Sequence, residues 1–183
     1  MTILPIKFMH FAQKTYFHLH NDYFLLILTL ENLKEFKMQI ILHIDLKKFD
    51  TDYEQAINEY FKRTSAFADV SKKLYKDFAG LSLKDNSYKF VVVPGKASFT
   101  SPELAKKITD ISISGYSCIE FIIPDEKKHD DKILNNFLKL MSDYSYEIFN
   151  LTSFSMCSGP TAVALSEQIY RAYTINNNIN YHK

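Results

Sequence analysis

Three short apolar runs, each followed by a stretch with helical spacing, constrain the fold of this chain more than any other feature. The runs are Met38–Ile44 (MQIILHI), Tyr88–Pro94 (YKFVVVP) and Cys118–Pro124 (CIEFIIP). Near-continuous apolar runs rich in β-branched residues are typical of strands that are buried on both faces of a parallel sheet. Strands that alternate with helices predict an α/β fold with parallel strands joined by crossover helices.

Helix signals lie between these runs. Asp50-Thr51-Asp52 offers capping side chains for a helix over 53–64, and Ser101-Pro102-Glu103 predicts the start of a helix that runs to Ser114. The remaining predicted elements are a helix over Val70–Phe78, a helix over 133–142, a strand near Glu147–Leu151 and a last helix over Pro160–Ile175. In parallel sheets ligands bind at the carboxyl ends of the strands. Here those ends are Val91–Gly95, Pro124–Lys128 and Leu151–Ser158.

Composition limits the function classes. The chain has 183 residues, 46% of them hydrophobic, which suits one domain with a proper core. A net charge of +1 excludes nucleic-acid binding by bulk electrostatics, so any RNA partner would be read through a local patch. The two cysteines, Cys118 and Cys157, have the spacing of neither a metal site nor a disulfide framework, and the predicted compartment is the reducing cytoplasm.

Several motif classes are missing from the sequence. Neither a phosphate-binding glycine loop nor a dinucleotide fingerprint is present. The apolar run Tyr23–Leu30 is much too short to span a bilayer, and His18 and His20 lack further ligands, so we predict neither a membrane nor a metal partner. The spacing of Glu167 and Arg171 by itself indicates an ordinary surface ion pair on a helix.

The end of the chain carries the most specific motif. The last helix and the tip beyond it contain Glu167, Gln168, Tyr170, Arg171, Ala172, Tyr181, His182 and Lys183. This ending resembles that of the ribosomal RNA large subunit methyltransferase H family, which belongs to the SPOUT class. The first helix is also similar, at Gln55, Ala56, Ile57, Glu59, Tyr60, Lys62 and Arg63. Met38-Gln39-Ile40 and Gly95-Lys96 match as well, so the resemblance covers Met38 to Lys183, with a shortened segment before Tyr88.

The resemblance implies a fold and an activity. Members have an α/β sheet whose C-terminal segment forms a deep trefoil knot, and they bind S-adenosylmethionine in that knot as homodimers. They methylate N3 of a pseudouridine in large-subunit (23S) ribosomal RNA on the assembled ribosome. The alternative is a catalytically silent homologue that dimerises and binds RNA or the ribosome.

The resemblance also implies site residues. In the tip, Tyr181 would stack on a base, His182 would contact phosphate or accept the N3 proton, and Arg171 would hold the RNA backbone or the cofactor carboxylate. The implied cofactor-binding residues are Val91, Pro124 and the loop Leu151, Thr152, Ser153, Phe154, Ser155 and Met156. The chain departs from the family at three places: Pro124-Asp125 replaces Gly-Gly, Cys157-Ser158 replaces Pro-His, and Ala162 replaces an arginine.

Residues 1–37 are predicted to lie outside the fold, because the resemblance begins at Met38. Lys34-Glu35 could be encoded by a ribosome-binding sequence placed just before Met38. We therefore expect Met38 to be the natural start and the preceding residues to be translated upstream sequence. A mass spectrum of the native protein that retains Met1 or Thr2 would contradict this expectation.

Overall fold

The computed structural model describes residues 37–96, 99–125, 137–139 and 141–181. Five strands form one sheet in the order β2-β1-β4-β3-β5, and all four strand pairings are parallel. The strands are β1 (Gln39–Asp45), β2 (Asp69–Tyr75), β3 (Tyr88–Val93), β4 (Cys118–Ile123) and β5 (Glu147–Asn150). The predicted α/β class with a parallel sheet is confirmed.

Three helices cover one face of the sheet: α1 (Thr51–Thr64), α2 (Ser101–Ile113) and α3 (Ser158–Asn176). Side chains alternate between the two faces of a strand, so Ile40, Leu42 and Ile44 of β1 share the helix side. They form the main core with apolar residues of the helices, such as Ile57 and Leu165. All five of these side chains are fully buried.

A smaller apolar cluster covers the opposite face. Val91, Val93 and Ile122 pack there against Phe78 and Phe137, from the connections that precede β3 and β5. The rings of Phe78 and Phe137 stack with their centroids 5.1 Å apart. The connections before β3 and β5 therefore cover this face of the sheet, as the three helices cover the other face.

Helix α3 is the most buried of the three helices because it packs against both α1 and α2. Its ring contact between Tyr173 and Phe67, with centroids 6.1 Å apart, joins it to the turn after α1. Near its end the Asn176 side chain donates a hydrogen bond to the Ala105 carbonyl of α2, at 2.9 Å. At its start, a Cβ on Gly159 would lie 2.9 Å from the Tyr53 ring. Only glycine allows α1 and α3 to approach so closely there.

The structure confirms the strands predicted at Met38–Ile44, Tyr88–Pro94, Cys118–Pro124 and Glu147–Leu151, and the helices over 53–64, Ser101–Ser114 and Pro160–Ile175, each to within two residues. The helix predicted over Val70–Phe78 is wrong, since Asp69–Tyr75 is the edge strand β2. Of the helix predicted over 133–142, the structure describes Phe137–Lys139 as helical. The prediction for residues 1–37 lies outside the described residues, apart from Lys37, and the trefoil knot stays a prediction.

Candidate functional site

The carboxyl ends of β4, β3 and β5 lie at one edge, because these three strands are parallel neighbours in the sheet. The loops after β3 and β5 are directly joined. The Gly95 amide donates a hydrogen bond to the Thr152 carbonyl at 2.8 Å. The Asn150 side-chain amide donates to the carbonyls of Val93 and Pro94, at 3.1 and 3.3 Å. The structure thus joins the predicted segments after β3 and β5, and of the predicted segment after β4 it describes Pro124 and Asp125.

Glycine is required at position 95 because the Asn150 side chain packs directly against its backbone. A Cβ at position 95 would lie 2.6 Å from Nδ2 of Asn150 and 2.7 Å from its Cγ. A side chain there would displace the Asn150 amide from the carbonyls that it bridges. The Gly-Lys motif at 95–96 therefore has a local structural reason in this chain.

The predicted cofactor residues occupy three environments. Val91 is fully buried in β3, two residues before the strand ends, and its side chain belongs to the apolar cluster on the face opposite the helices. Pro124 is buried directly after β4. Val91 is 0% exposed and is paired with strands on both sides, so neither its side chain nor its backbone is accessible, and its role at a cofactor stays a prediction.

The loop Leu151–Met156 is the accessible part of the predicted site. Leu151, Thr152 and Met156 are half-buried, whereas Ser153, Phe154 and Ser155 are exposed. The Thr152 hydroxyl donates to the Phe154 carbonyl at 2.7 Å and so closes a turn within the loop. Phe154 is 63% exposed, which is a large apolar surface for a ring at the edge of a sheet.

The start of α3 fixes the far end of this loop. The Ser158 hydroxyl donates to the Asp45 carbonyl at the end of β1, at 3.2 Å. The Thr161 hydroxyl turns back to the Cys157 carbonyl at 3.0 Å. The chain therefore passes from the edge strand β5 across the carboxyl ends of the strands to β1.

A cavity of about 830 Å³ opens beside this loop, between α1, the start of α2, the end of β5 and α3. Leu151 and Thr152 form one wall, and Tyr53, Pro160 and Val163 form another. The hydrogen bond from the Ser101 hydroxyl to Oε1 of Gln168, at 2.9 Å, ties α2 to α3 at the same place. A volume of this size lies in the range of small-molecule sites.

Helix α2 begins at this cavity with a capping box. Thr100 is the N-cap, and both its amide and its hydroxyl donate to Glu103, at 2.7 Å each. These hydrogen bonds lower the pKa of Glu103. The sequence predicted that the Ser101 hydroxyl caps this helix. Instead, Ser101 is the first helical residue, and its hydroxyl donates a hydrogen bond to Gln168.

The predicted tip residues Arg171 and Tyr181 lie against one another. The guanidinium of Arg171 is 5.4 Å from the Tyr181 ring centroid and 2.6 Å from Oε1 of Glu167. The Tyr181 ring makes an edge contact with Tyr170, with centroids 4.8 Å apart. Contact with Glu167 raises the pKa of Arg171, and burial together with a hydrogen bond to Tyr60 raises the pKa of Tyr181. His182 lies outside the described residues.

The tip and the loops are separate within one chain. Arg171 follows Ser158 by more than three helical turns of α3, about 20 Å at 1.5 Å per residue. The structure therefore places the loop after β5 at the start of α3 and Tyr181 against the second half of α3. Tyr60 and Glu167, which contact the tip, also line the cavity beside the loop.

One buried polar group was missed by the sequence predictions. On β1, His43 lies with its Nε2 2.9 Å from Oε2 of Glu120 on β4, and its Nδ1 is 2.8 Å from the Tyr75 hydroxyl on β2. Both His43 and Glu120 are 0% exposed. Burial raises the pKa of Glu120, but contact with His43 and a hydrogen bond from the Lys84 amide outweigh it, so that the pKa is lowered. The available signal was a single polar residue inside each of two apolar strands.

Comparison with known proteins identifies the family. A family model described as "Predicted SPOUT methyltransferase" matches residues 37–182. Ribosomal RNA large subunit methyltransferase H 1 of Thermoanaerobacter sp. (strain X514) is 33% identical over 138 residues, which cover 74% of this chain and 92% of that protein. Ribosomal RNA large subunit methyltransferase H of Clostridioides difficile (strain 630) is 30% identical over 154 residues, 82% of this chain and 88% of that protein.

The chain belongs to the SPOUT methyltransferase family and is similar along most of its length to proteins named ribosomal RNA large subunit methyltransferase H. Within the described part of the chain, no helix is long and apolar enough to cross a membrane, and no group of His, Cys, Asp and Glu side chains has the arrangement of a metal site.

Proposed function

We propose that this SPOUT methyltransferase transfers a methyl group from S-adenosylmethionine to N3 of a pseudouridine in large-subunit (23S) ribosomal RNA. It acts in the cytoplasm as a homodimer on the assembled ribosome. The observation that carries the proposal is the junction of the β3 and β5 loops at Gly95 and Thr152, beside a cavity of about 830 Å³. The names of the relatives supply the substrate class.

The residues of the junction suit the methyl donor. Gly95 lets the Asn150 side chain pack against the main chain and so holds the loop after β5 in place, and the loop Leu151–Met156 presents backbone groups. Backbone N–H and C=O groups suit the adenine edge and ribose of a nucleoside. S-adenosylmethionine supplies an activated methyl group when it is bound there, with Val91, Pro124 and the loop as its neighbours.

The tip would bind the acceptor nucleotide and accept its N3 proton. N3 of a pseudouridine must lose its proton as it gains the methyl group, so a base within hydrogen-bond reach is needed. A histidine with a pKa near 6.5 can accept a proton at neutral pH, and we assign that role to His182. Tyr181 would stack on a nucleotide, while Arg171, already charged beside Glu167, would hold an RNA phosphate or the cofactor carboxylate.

A homodimer follows from the separation of the two parts. Since about 20 Å of helix lies between loop and tip in one chain, a second copy with α3 in the opposite direction would bring its tip to the first copy's loops. Val163 and Ala164 are half-buried on the cavity wall and would be covered by that copy. Ile169 and Tyr173, by contrast, are already buried in the core of one chain.

We also propose that the segment after β5 forms the trefoil knot. Its path is unusual for a chain end, since it contacts the loop after β3 through Thr152 and the end of β1 through Ser158. These contacts fit a segment that threads a loop before α3 begins.

Two measurements test the proposed function. Calorimetric titration of S-adenosylmethionine should give a Kd in the micromolar range, about −8 kcal/mol. Ribosomes incubated with protein and cofactor should then carry one additional methylated pseudouridine in 23S RNA, detected by mass spectrometry of nucleosides. Ribosome binding without cofactor binding would support the catalytically silent alternative instead.

A further inference from the structure

A second cavity, of about 550 Å³, opens at the amino ends of β3 and β5. It begins at the turn 85–87 and at the first residues of both strands, Tyr88 and Glu147. The cofactor loops lie at the opposite ends of the same strands, roughly 17 Å away at 3.3 Å per residue. The proposed methyl transfer does not use this cavity.

Aromatic rings dominate its walls. Tyr88, Tyr116, Tyr144 and Tyr146 all line the cavity, and all four are half-buried. The rings of Tyr88 and Tyr116 form an edge contact, with centroids 5.5 Å apart. Half-buried rings around an opening are surfaces on which a planar ligand stacks.

A buried ammonium group also lines the cavity. Lys89 is only 4% exposed, its Nζ donates to the Ser87 carbonyl at 3.0 Å, and it lies 5.7 Å from the centroid of the Tyr144 ring. No carboxylate among the described residues forms an ion pair with it. An ammonium group has three donors, so Lys89 has donors left for an acceptor on a ligand.

The carboxylates that line the cavity also limit which ligands it can bind. Glu147 is engaged by Lys107, with Nζ 2.8 Å from its Oε2, and by the Tyr88 hydroxyl. Asp85 and Asp143 are exposed residues of the lining. Two carboxylates disfavour a phosphate and favour a ligand that donates N–H groups.

We propose that this cavity binds a guanine base of the substrate RNA. Guanine presents two acceptors, O6 and N7, on one edge, which suits Lys89. Its N1–H and N2 amino group are adjacent donors on the neighbouring edge, which suits Asp85 or Asp143. Adenine carries a donor at N6 in place of the O6 acceptor, so it meets Lys89 with the wrong group. That the base comes from RNA rests on the proposed function, whereas guanine binding does not.

Equilibrium dialysis with radiolabelled guanosine, on the full chain, tests this inference. We expect saturable binding at least about tenfold tighter than that of adenosine, because adenine offers the ammonium only N7 and places its N6 donor where guanine has the O6 acceptor. Lys89→Met should weaken guanosine binding about tenfold or more. The same substitution should leave the protein folded, since it removes a buried charge that has no carboxylate partner. Asp85→Asn and Asp143→Asn act at exposed positions, and at least one should weaken binding, while Asp52→Asn on α1 should not.

The outcomes separate this inference from the proposed function. Equal binding of guanosine and adenosine, no saturable binding, or unchanged binding in Lys89→Met and in both aspartate variants would overturn the guanine site. None of these results depends on methyl transfer. A protein that binds guanosine but never methylates ribosomes would instead overturn the proposed function and leave the guanine site in place.

Discussion

At the scale of residues, the contact between His43 and Glu120 joins two central strands of the sheet, with His43 Nε2 2.9 Å from Glu120 Oε2. Both side chains are fully buried, and neither His43 Nε2 nor Glu120 Oε2 has another hydrogen-bond partner in the described part of the chain. Loss of one member of such a pair leaves the other as an uncompensated buried charge. We therefore expect the removal of either side chain to destabilise the folded protein through the partner that it leaves behind.

We predict that Glu120→Ala lowers the free energy of unfolding by about 3–5 kcal/mol at pH 7, the range for a broken buried pair. Glu54→Ala, at a half-exposed ion pair with Lys72, should cost less than about 1 kcal/mol. Urea unfolding of the two variants measures the difference. A cost for Glu120→Ala as small as that of Glu54→Ala would contradict this prediction.

The same pair predicts a pH dependence. The pKa of Glu120 is lowered in the folded protein, so its ionised form contributes stability above the unfolded carboxyl pKa of about 4.3. That contribution is lost as the pH falls through the lower, folded pKa. Wild type should therefore lose stability more steeply than Glu120→Gln below about pH 4, as measured by urea unfolding at each pH. Parallel curves for the two proteins would contradict this prediction.

In the proposed cofactor site, Pro124 stands where the resemblance implies a glycine. A proline has no N–H and adds bulk next to the ligand. Replacement of Pro124-Asp125 by Gly-Gly should tighten S-adenosylmethionine binding about two- to tenfold, the equivalent of one regained hydrogen bond. Calorimetry measures the change, with thermal unfolding as the control for folding. Unchanged or weaker binding would mean that the pocket no longer serves the cofactor.

At the scale of elements, the junction between the β3 and β5 loops depends on Gly95. We predict that Gly95→Ala costs about 1–3 kcal/mol of stability, the usual cost of overpacking, and weakens cofactor binding. Its Cβ would displace the Asn150 amide, which lies within 2.6 Å. The double variant Gly95→Ala with Asn150→Ala should cost less than the sum of the single changes. Additive costs in urea unfolding would show that the two side chains do not compete for the same space.

The elements also show how far sequence reasoning reaches. The buried strands and the capped helix α2 could be predicted, because continuous apolar runs and Thr100-Ser101-Pro102-Glu103 are local signals. Strand β2 could not, because it is an edge strand: Asp69, Ser71, Lys73 and Leu74 are exposed, and Val70, Lys72 and Tyr75 are only half-buried. Its strand character comes from seven-residue parallel pairing with β1, which is a tertiary contact.

Some parts of the candidate site could be predicted from the sequence and others could not. The edge of the sheet follows from the parallel order of the strands, and the tip follows from a family motif. The half-buried Tyr75 and the buried His43 and Glu120 join three strands that are far apart in sequence. The cavity of four tyrosines likewise combines the turns that precede three strands. Both arrangements combine residues from separate segments, so the spacing of residues within one segment cannot predict them.

At the scale of the whole molecule, the length of α3 determines how the proposed active site is assembled. The loop after β5 joins the start of α3, whereas Tyr181 contacts Tyr170 and Arg171, about 20 Å along the helix axis. Contacts of Ser158 with Asp45, Asn176 with Ala105 and Tyr173 with Phe67 fix the helix to the sheet and its neighbours. Bending α3 to join its two ends would break all three contacts. A second copy is therefore the less costly route to a complete site, and in a two-fold dimer each copy gives and receives the same residues.

This assembly predicts complementation between a variant without the tip and a variant with a damaged loop, assayed at a cofactor concentration too low for the weakened Gly95→Ala loop to support transfer. A chain truncated after Asn180 lacks the tip, and its loss of the Tyr181–Tyr170 contact should cost only about 0.5–1.5 kcal/mol of stability. It should keep cofactor affinity but lose methyl transfer, and His182→Ala should likewise lower turnover more than cofactor affinity. Gly95→Ala keeps its tip but has a damaged loop.

Coexpression with two tags gives mixed dimers in which one of the two sites combines an intact loop with an intact tip. If half of the dimers are mixed, the preparation should recover about a quarter of wild-type transfer per chain. The control is the two variants purified separately and assayed together without subunit exchange, which should stay inactive. If the coexpressed preparation stays equally inactive although tandem affinity purification recovers mixed dimers, then loop and tip do not form one site across the two copies.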